Sequence, residues 1–231
     1  MTADSRVDEV SVPVSGVWRI GQATDPYNAR PPLSVDELNS PRVGNRFDSP
    51  DGSYGVLYFG TSLEACFGEV LGRFRPASSL SDLVAQDWHD ESWMPPREMP
   101  ADWRHRRLVV RAKPTIDIPM LDVESQRTRE YLAKKLAIGL AAYGVADLDI
   151  AAVRSGDRRI TRLISFWAWI QQNEDGSPRY GGVRYLSRLN NDWECWAVFD
   201  RVPTQEVQRR PIARSLPELH TICELYGIRV F

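Results

Sequence analysis

The sequence predicts an α+β domain in which helices flank a bent or split, mainly antiparallel sheet. Short β-branched and aromatic runs bounded by turn residues, such as residues 56–59, predict the strands. The segments 183–187 and 195–199 predict a hairpin, which makes neighbouring strands antiparallel. Apolar residues at three- and four-residue spacing predict amphipathic helices over residues 124–143 and 159–172.

The other elements are predicted from the same signals. Thr61 and Glu64 form the T-x-x-E pattern of a capping box, so a helix is expected to open near Ser62. The remaining predicted elements are strands at 16–20 and 107–112, an edge segment at 116–119, helices at 62–74 and 216–226, the latter stopped by Gly227, and a terminal strand at 228–231. The side chains expected to pack inward from the 124–143 helix are Tyr131, Leu132, Leu136, Ile138, Leu140 and Ala141.

The length of 231 residues suits a single domain. Residues 1–14 are expected to form a flexible N-terminal arm, and residues 15–231 one domain. Residues 76–105 are rich in proline and tryptophan, and we interpret them as an insertion or lid. Whether this segment is a lid, a dimer contact or a docking site for a partner stays open, and a homo-oligomer is possible.

Composition and charge argue against several classes of protein. A net charge of −2 and a pI near 6.0 predict no direct binding of nucleic acid and no attraction to anionic lipid. Cys66, Cys195 and Cys223 are widely spaced and odd in number, which favours neither a disulfide framework nor a zinc site. The N-terminus lacks an apolar signal region, and no run approaches the ~18 apolar residues of a membrane span, so a cytoplasmic protein is expected.

The run from residue 44 to residue 69 contains the most informative side chains. It predicts a loop carrying Arg46, a strand carrying Tyr58 and a helix carrying Glu69, which one pocket could gather around an anionic, nucleotide-like substrate. Glu69 shares its helix face with Gly68 and Gly72, and glycine costs roughly 1 kcal/mol relative to alanine inside a helix. Close approach of another backbone or of a ligand would account for these glycines, and a solvated surface glutamate is the alternative.

Several common active-site patterns are missing from the sequence. His89, His105 and His220 are far apart and form no H-x-x-H pattern, so no metal site is expected. There is neither a G-x-G-x-x-G fingerprint nor a P-loop. Ser187 lacks the flanking glycines of a nucleophile elbow, so an acyl-transfer role is not indicated. An enzyme with this sequence is expected to use neither a metal nor a covalent serine.

A set of short motifs, taken in order, resembles the RES-domain family, named for its arginine, glutamate and serine. The resemblance spans roughly residues 15–200, and the chain departs from shorter members at 76–105 and at Arg188, directly after the serine. The motifs that carry it are Trp18-Arg19, Gly44-Asn45-Arg46, Leu57-Tyr58, Ala65 through Glu69 and Gly182-Val183-Arg184-Tyr185-Leu186-Ser187.

The resemblance implies a fold similar to ADP-ribosyltransferases, a toxin role beside a separate antitoxin protein, and NAD as the substrate. No cofactor beyond that substrate is implied. Arg46 resembles the family arginine, Tyr58 its tyrosine, Glu69 its helical glutamate and Ser187 its late serine, while Arg19 matches a second arginine. These residues are therefore the expected catalytic and substrate-binding groups.

Cleavage of the nicotinamide–ribose bond builds positive charge on the ribose, which a carboxylate such as that of Glu69 would stabilise. Arg19 and Arg46 would anchor the diphosphate, because guanidinium groups offer paired donors in one plane. Tyr58 would stack on nicotinamide, and Ser187 would bond its amide or the ribose. The leading expectation is an NAD glycohydrolase or phosphorylase. Protein ADP-ribosylation and a non-catalytic partner-binding domain are the alternatives.

Overall fold

The computed structural model describes residues 6–29, 31, 33–75, 98–99 and 101–230 of the chain. Most of the predicted insertion at 76–105 lies outside the described residues. The strands are β1 (Glu9–Val10), β2 (Val17–Gln22), β3 (Val56–Gly60), β4 (Glu98–Met99), β5 (Arg107–Pro114), β6 (Met120–Asp122), β7 (Gly182–Leu186), β8 (Glu194–Phe199), β9 (Thr204–Pro211) and β10 (Arg229–Val230). The helices are α1 (Val35–Asn39), α2 (Leu63–Leu71), α3 (Ala101–His105), α4 (Gln126–Lys135), α5 (Ala137–Ala142), α6 (Ile150–Val153), α7 (Arg158–Ile170) and α8 (Pro217–Tyr226), with a 3₁₀ turn at Gly72–Phe74.

The main sheet has eight strands in the order β1-β6-β7-β8-β3-β2-β5-β9. Its strand pairs are antiparallel except for β6 and β7, which run parallel. β4 and β10 form a separate parallel pair. The predicted α+β class with a mainly antiparallel sheet and flanking helices is confirmed. The predicted hairpin is β7 and β8, in which Tyr185 lies opposite Cys195.

Alternating side chains give the sheet two different faces. One face carries Tyr58, Tyr185 and Cys195 and packs against the helices in the larger core cluster; we call it the helix face. The other face carries Phe59 and Trp196 in a smaller cluster covered by residues near Tyr27 and Ala29, and we call it the loop face. This division decides which polar side chains can meet.

Helix α7 holds the loop that precedes β3 against the helix face by hydrogen bonds. Its N-cap is Asp157, whose side chain accepts from the Arg159 backbone N–H. Arg162 is almost fully buried and donates to the carbonyls of Leu38 (3.1 Å), Ser40 (3.5 Å) and Val43. One turn later, Ser165 donates to the Phe47 carbonyl over 2.8 Å. The polar stripe of α7 therefore holds residues 38–47 in place.

Several sequence-based expectations on elements need correction. The edge segment expected at 116–119 forms no strand, and the strand that follows it, β6, begins at Met120. Helix 124–143 is two helices separated at Leu136, and two residues expected inside, Ile138 and Ala141, are exposed. The predicted capping box is wrong by one residue, because Ser62 caps α2 by accepting from the Ala65 backbone N–H over 3.1 Å. Strand β9 was not predicted. The predicted N-terminal arm contains β1, which pairs with β6.

Thr61 does not cap α2, because its side chain is hydrogen-bonded within a network on the loop face. Its hydroxyl bonds to the Glu194 carboxylate and accepts from the Trp196 indole over 2.9 Å. The Glu194 carboxylate also accepts from Arg184 over 2.9 Å. Cross-strand bonding between β3 and β8 thus outcompetes the local cap.

Candidate functional site

Arg46 lies in a tight loop that local hydrogen bonds shape. The Asp48 carboxylate accepts from the Asn45 backbone N–H over 2.6 Å and from the Asn45 side-chain amide over 3.1 Å. Gly44 has φ +73°, and a Cβ there would lie 2.8 Å from Arg162 Nη2. Only glycine adopts this conformation without strain in so little space. The loop therefore presents Arg46 in a fixed direction.

The Arg46 guanidinium is buried, with 9% of the residue exposed, and only part of it is paired. Nη2 donates to the Val153 carbonyl over 2.7 Å, and the group lies 5.0 Å from the centre of the Tyr185 ring. Nε and Nη1 are buried and donate to no described residue. A buried charged donor without a partner is costly, so these two N–H groups are available for a ligand.

Glu69 carries a matching unpaired acceptor. Its Oε1 is buried and accepts from no described residue. The neighbouring glycines are explained by side chains rather than by a backbone: a Cβ on Gly68 would lie 2.1 Å from the Trp193 ring, and one on Gly72 would lie 2.6 Å from Leu189. The loop between β7 and β8 therefore lies directly on α2 beside Glu69.

The charges of Arg46 and Glu69 act on the same two side chains, Tyr185 and Cys195. Burial raises the pKa of the Tyr185 hydroxyl well above its ordinary value; the Glu69 charge raises it further, and the Arg46 charge lowers it. The same two charges act on Cys195, whose pKa is raised first of all by burial. Tyr185 and Cys195 lie opposite each other on β7 and β8. The unpaired cation and anion thus share this stretch of the helix face.

Tyr58 also lies on the helix face, where its hydroxyl is engaged by the protein. It donates to Asp48 Oδ1 and accepts from the Phe47 backbone N–H, both over 3.0 Å. Burial raises the pKa of this hydroxyl well above its ordinary value, so it stays protonated at neutral pH. The described contact of Tyr58 is therefore with the Arg46 loop, which it positions.

Ser187 is fully buried where β7 ends. Its Oγ accepts from the Leu189 backbone N–H over 3.0 Å, which leaves the hydroxyl proton to be donated. Glu124 fixes the strand end by accepting from the Leu186 N–H over 2.8 Å. Ser187 therefore opens the loop that packs on α2.

Arg19 lies apart from the other four predicted site residues. It projects to the loop face, with its guanidinium 5.9 Å from the centre of the Phe59 ring. Nε donates to the Pro26 carbonyl over 2.7 Å, Nη1 to the Tyr58 carbonyl over 3.1 Å and Nη2 to the Asn28 carbonyl over 3.3 Å. Its donors are taken up by the fold, and its predicted part in substrate binding stays a prediction.

Comparison with known proteins identifies the family. The RES-domain family model matches residues 16–218 of the 231-residue chain. The chain belongs to the RES-domain family. No curated protein and no solved structure matches the chain. The family is linked to NAD-related toxin function, so an enzyme that acts on NAD is the class that membership suggests.

Two negative findings concern only the ranges that the structure describes. None of the helices there is long and apolar enough to cross a bilayer. Within the same ranges, no three His, Cys, Asp or Glu residues group closely enough to hold a metal ion.

Sequence reasoning missed Asp48 and Tyr185. Asp48 fixes the Arg46 loop and bonds Tyr58, while the Tyr185 ring lies under the Arg46 guanidinium. Strand alternation could have found Tyr185, because it stands two residues before Ser187 on the same face. Asp48 gave a weaker signal, since an aspartate in a turn is common.

Proposed function

We propose that this RES-domain protein cleaves the nicotinamide–ribose bond of NAD at the Arg46–Glu69 site, as a glycohydrolase or a phosphorylase. One observation carries the proposal: the same stretch of the helix face holds two unpaired buried donors of Arg46 and an unpaired buried oxygen of Glu69. Leaving a buried polar group unsatisfied costs about 1–3 kcal/mol, and more when it is charged. Such groups persist where a ligand supplies their partners.

Arg46 fits the phosphate part of the substrate. Nε and Nη1 donate from different edges of the guanidinium plane, so each can meet an oxygen of a different phosphoryl group. The bond from Nη2 to the Val153 carbonyl fixes the plane of the guanidinium before the substrate arrives. A preorganised donor pair binds with a smaller loss of side-chain entropy.

Glu69 fits the reacting part of the substrate. Departure of nicotinamide leaves positive charge on the ribose ring, and a carboxylate aimed at that charge stabilises the transition state. The buried Oε1 has no protein donor to weaken its field. In this proposal Glu69 acts through its charge or by holding a ribose hydroxyl, without forming a covalent bond.

The other predicted residues support these two. Tyr58 holds the Arg46 loop through its hydroxyl, and its ring lines the same face of the sheet. The proton of Ser187 is the donor available to the nicotinamide amide or the ribose. Each step uses side chains and the acceptor molecule, so addition of EDTA is expected to leave the rate unchanged.

The proposal is tested by the products that the purified protein forms from NAD. Hydrolysis converts NAD and water into ADP-ribose, nicotinamide and a proton. Phosphorolysis converts NAD and phosphate into nicotinamide and ADP-ribose 1″-phosphate. Chromatography of the products with and without phosphate distinguishes the two acceptors. If folded protein releases no nicotinamide under either condition, the proposal is wrong.

The link between the family and toxins gives a cellular test. Expression of the chain without any partner protein is expected to lower cellular NAD and to arrest growth. Cells that accumulate folded protein while keeping normal NAD would contradict the proposal and favour a partner-binding role. ADP-ribose found on cellular proteins, instead of free in solution, would favour a protein-directed transferase.

A further inference from the structure

Two arginines near the Arg46–Glu69 site have no hydrogen-bond or ion-pair partner among the residues that the structure describes. Arg158 is the first residue of α7 and is half-buried, and Arg188 is exposed directly after Ser187. Neither side chain forms a hydrogen bond or an ion pair with a described residue. Unpaired arginines on a surface are ordinary when they stand alone, but these two lie together.

Arg188 lies close to the turn that opens α7, the helix that Arg158 begins. Nη1 of Arg188 lies 3.8 Å from the position of a Cβ on Gly156, two residues before Arg158. Burial lowers the pKa of Arg158, and the charges of Arg162 and Arg188 lower it further. Like charges are therefore brought close to each other at the start of a helix.

The arginines next to Arg158 in the chain all have hydrogen-bond or ion-pair partners. Arg159 bonds to Asp157 at 2.6 Å, and Arg154 to Glu124 at 2.6 Å. Arg162 donates to the carbonyls of the loop before β3. Within residues 154–162, Arg158 is the arginine that the fold leaves unpaired.

The carboxylate of Asp48 does not form an ion pair with Arg158. The Asp48 charge raises the pKa of Arg158, as does Tyr58, yet no ion pair forms between Asp48 and Arg158. Asp48 instead accepts three hydrogen bonds, two from Asn45 and one from Tyr58. The local field around Arg158 and Arg188 therefore favours an anion from outside.

Arg46 contacts residues on both sides of the turn that precedes Arg158. Arg46 donates to the Val153 carbonyl at the end of α6, just before the turn, and its own carbonyl accepts from the Thr161 hydroxyl on α7. The Arg46 side chain is itself nine-tenths buried with two unpaired donors. The positive end of the thirteen-residue helix α7 adds to the same field.

We propose that Arg158 and Arg188 form a phosphoryl-binding subsite next to Arg46, which holds the diphosphate of the dinucleotide or a phosphate ion that acts as acceptor. This inference rests on the proposed function and refines it. The subsite takes the role predicted for Arg19, whose donors are bonded to carbonyls on the other face of the sheet. Two guanidinium groups match the paired oxygens of a phosphoryl group.

The first test measures binding without turnover. Inorganic pyrophosphate and inorganic phosphate are titrated separately into the wild type, Arg158→Ala, Arg188→Ala and the double variant, with calorimetric detection at low salt. The double variant is expected to lose about tenfold or more in affinity for at least one of the two anions. Arg214→Ala is the matched control, because Arg214 is exposed and follows β9 at the far edge of the sheet.

The outcomes separate the subsite from the proposed cleavage. Unchanged affinity for both anions in the double variant, or no binding by the wild type, would overturn the subsite. Loss of binding in the double variant would support the subsite even if the wild type released no nicotinamide. Arg188→Ala keeps the test valid if Arg158→Ala fails to fold, because Arg188 is exposed.

Kinetics distinguish the two sources of the phosphoryl group. A raised KM for NAD with water as acceptor assigns the subsite to the dinucleotide diphosphate. A raised KM for phosphate with an unchanged KM for NAD assigns it to the acceptor. If both values match those of the wild type and the Arg214→Ala control, the subsite is rejected and the cleavage proposal stands.

Discussion

Arginines on the two faces of the sheet differ in how completely their guanidinium groups are hydrogen-bonded. On the loop face, Arg19 donates from all three guanidinium nitrogens to carbonyls, and Arg184 bonds to Glu194 and Asp122. On the helix face, Arg46 is buried, yet two of its nitrogens have no partner among the described residues. The loop face therefore uses arginine to join chain segments, whereas the helix face leaves two Arg46 donors without a partner among the described residues, as the proposed binding role requires.

The comparison shows that burial alone does not mark a functional arginine. Burial lowers the pKa of Arg19, as expected for a cation withdrawn from water, but its donors are bonded to three carbonyls. Arg46 differs in that two of its three buried nitrogens, Nε and Nη1, have no partner among the described residues. We therefore expect the pairing of several donors of one guanidinium, more than its burial, to separate a structural role from the proposed binding role.

The largest effect is expected for Glu69→Gln on the helix face. Removal of the charge while the shape is kept should lower nicotinamide release by about 100-fold or more, since transition-state electrostatics are lost. Stability should hold, because Oε1 has no described partner to lose. Glu64→Gln on the same helix is the control. Equal turnover by Glu69→Gln and wild type would remove Glu69 from the chemistry.

The stability of two arginine variants is expected to differ next. Arg19→Ala leaves three carbonyls without their donor and should lower the free energy of unfolding by about 2–4 kcal/mol. Arg46→Ala loses one bond but also removes two unpaired buried donors, so its change should stay within about 1 kcal/mol. Denaturation in urea measures both. A larger loss for Arg46→Ala would contradict the comparison.

A third prediction separates packing from ligand binding on the helix face. A methyl group on Gly68 would meet the rigid Trp193 ring at 2.1 Å, so Gly68→Ala should cost about 1–3 kcal/mol of stability. Gly72→Ala is the matched control, because it meets only the flexible end of Leu189 at 2.6 Å. Thermal unfolding of the two variants checks the difference. Equal melting temperatures would show that the loop over α2 is free to move away.

The smallest effect is a loss of stability at high pH. Burial raises the pKa of the Cys66 thiol to about 12 from its ordinary 9.0. The folded protein keeps a proton that the unfolded chain releases, so stability is complete below pH 9 and falls as the pH rises from 9 towards 12. Urea unfolding at pH 8 and pH 10 tests this. Cys66→Ser should show a shallower decline; an identical slope would assign the effect to other groups.

The sequence predicted the secondary structure well wherever a segment has one strong local pattern. The hairpin of β7 and β8 and the capped helix α7 have strong local patterns, and their positions agree within two residues. Strand β9 was missed because it lies at the edge of the sheet and most of its side chains are exposed, which removes the alternating pattern. Ile138 was misplaced because the break at Leu136 changes the helical phase.

The candidate site was only partly accessible to sequence reasoning. Arg46, Tyr58 and Glu69 come to one face because a strand and a capped helix follow the loop directly. The role of Arg19 could not be judged, because its carbonyl partners come from loops whose positions no local pattern specifies. Arg158 gave no signal for the same reason, since an unpaired donor is recognisable only after all neighbours are placed.

If pairing separates a ligand-binding arginine from a structural one, Arg46 and Arg19 should differ in their effect on ligand affinity. The affinity of Arg46→Ala and Arg19→Ala for ADP-ribose, measured by calorimetry and referred to the folded fraction, tests this. We expect a loss of about tenfold or more for Arg46→Ala and an unchanged affinity for folded Arg19→Ala. Unchanged affinity in Arg46→Ala, or an equal loss in both variants, would contradict it.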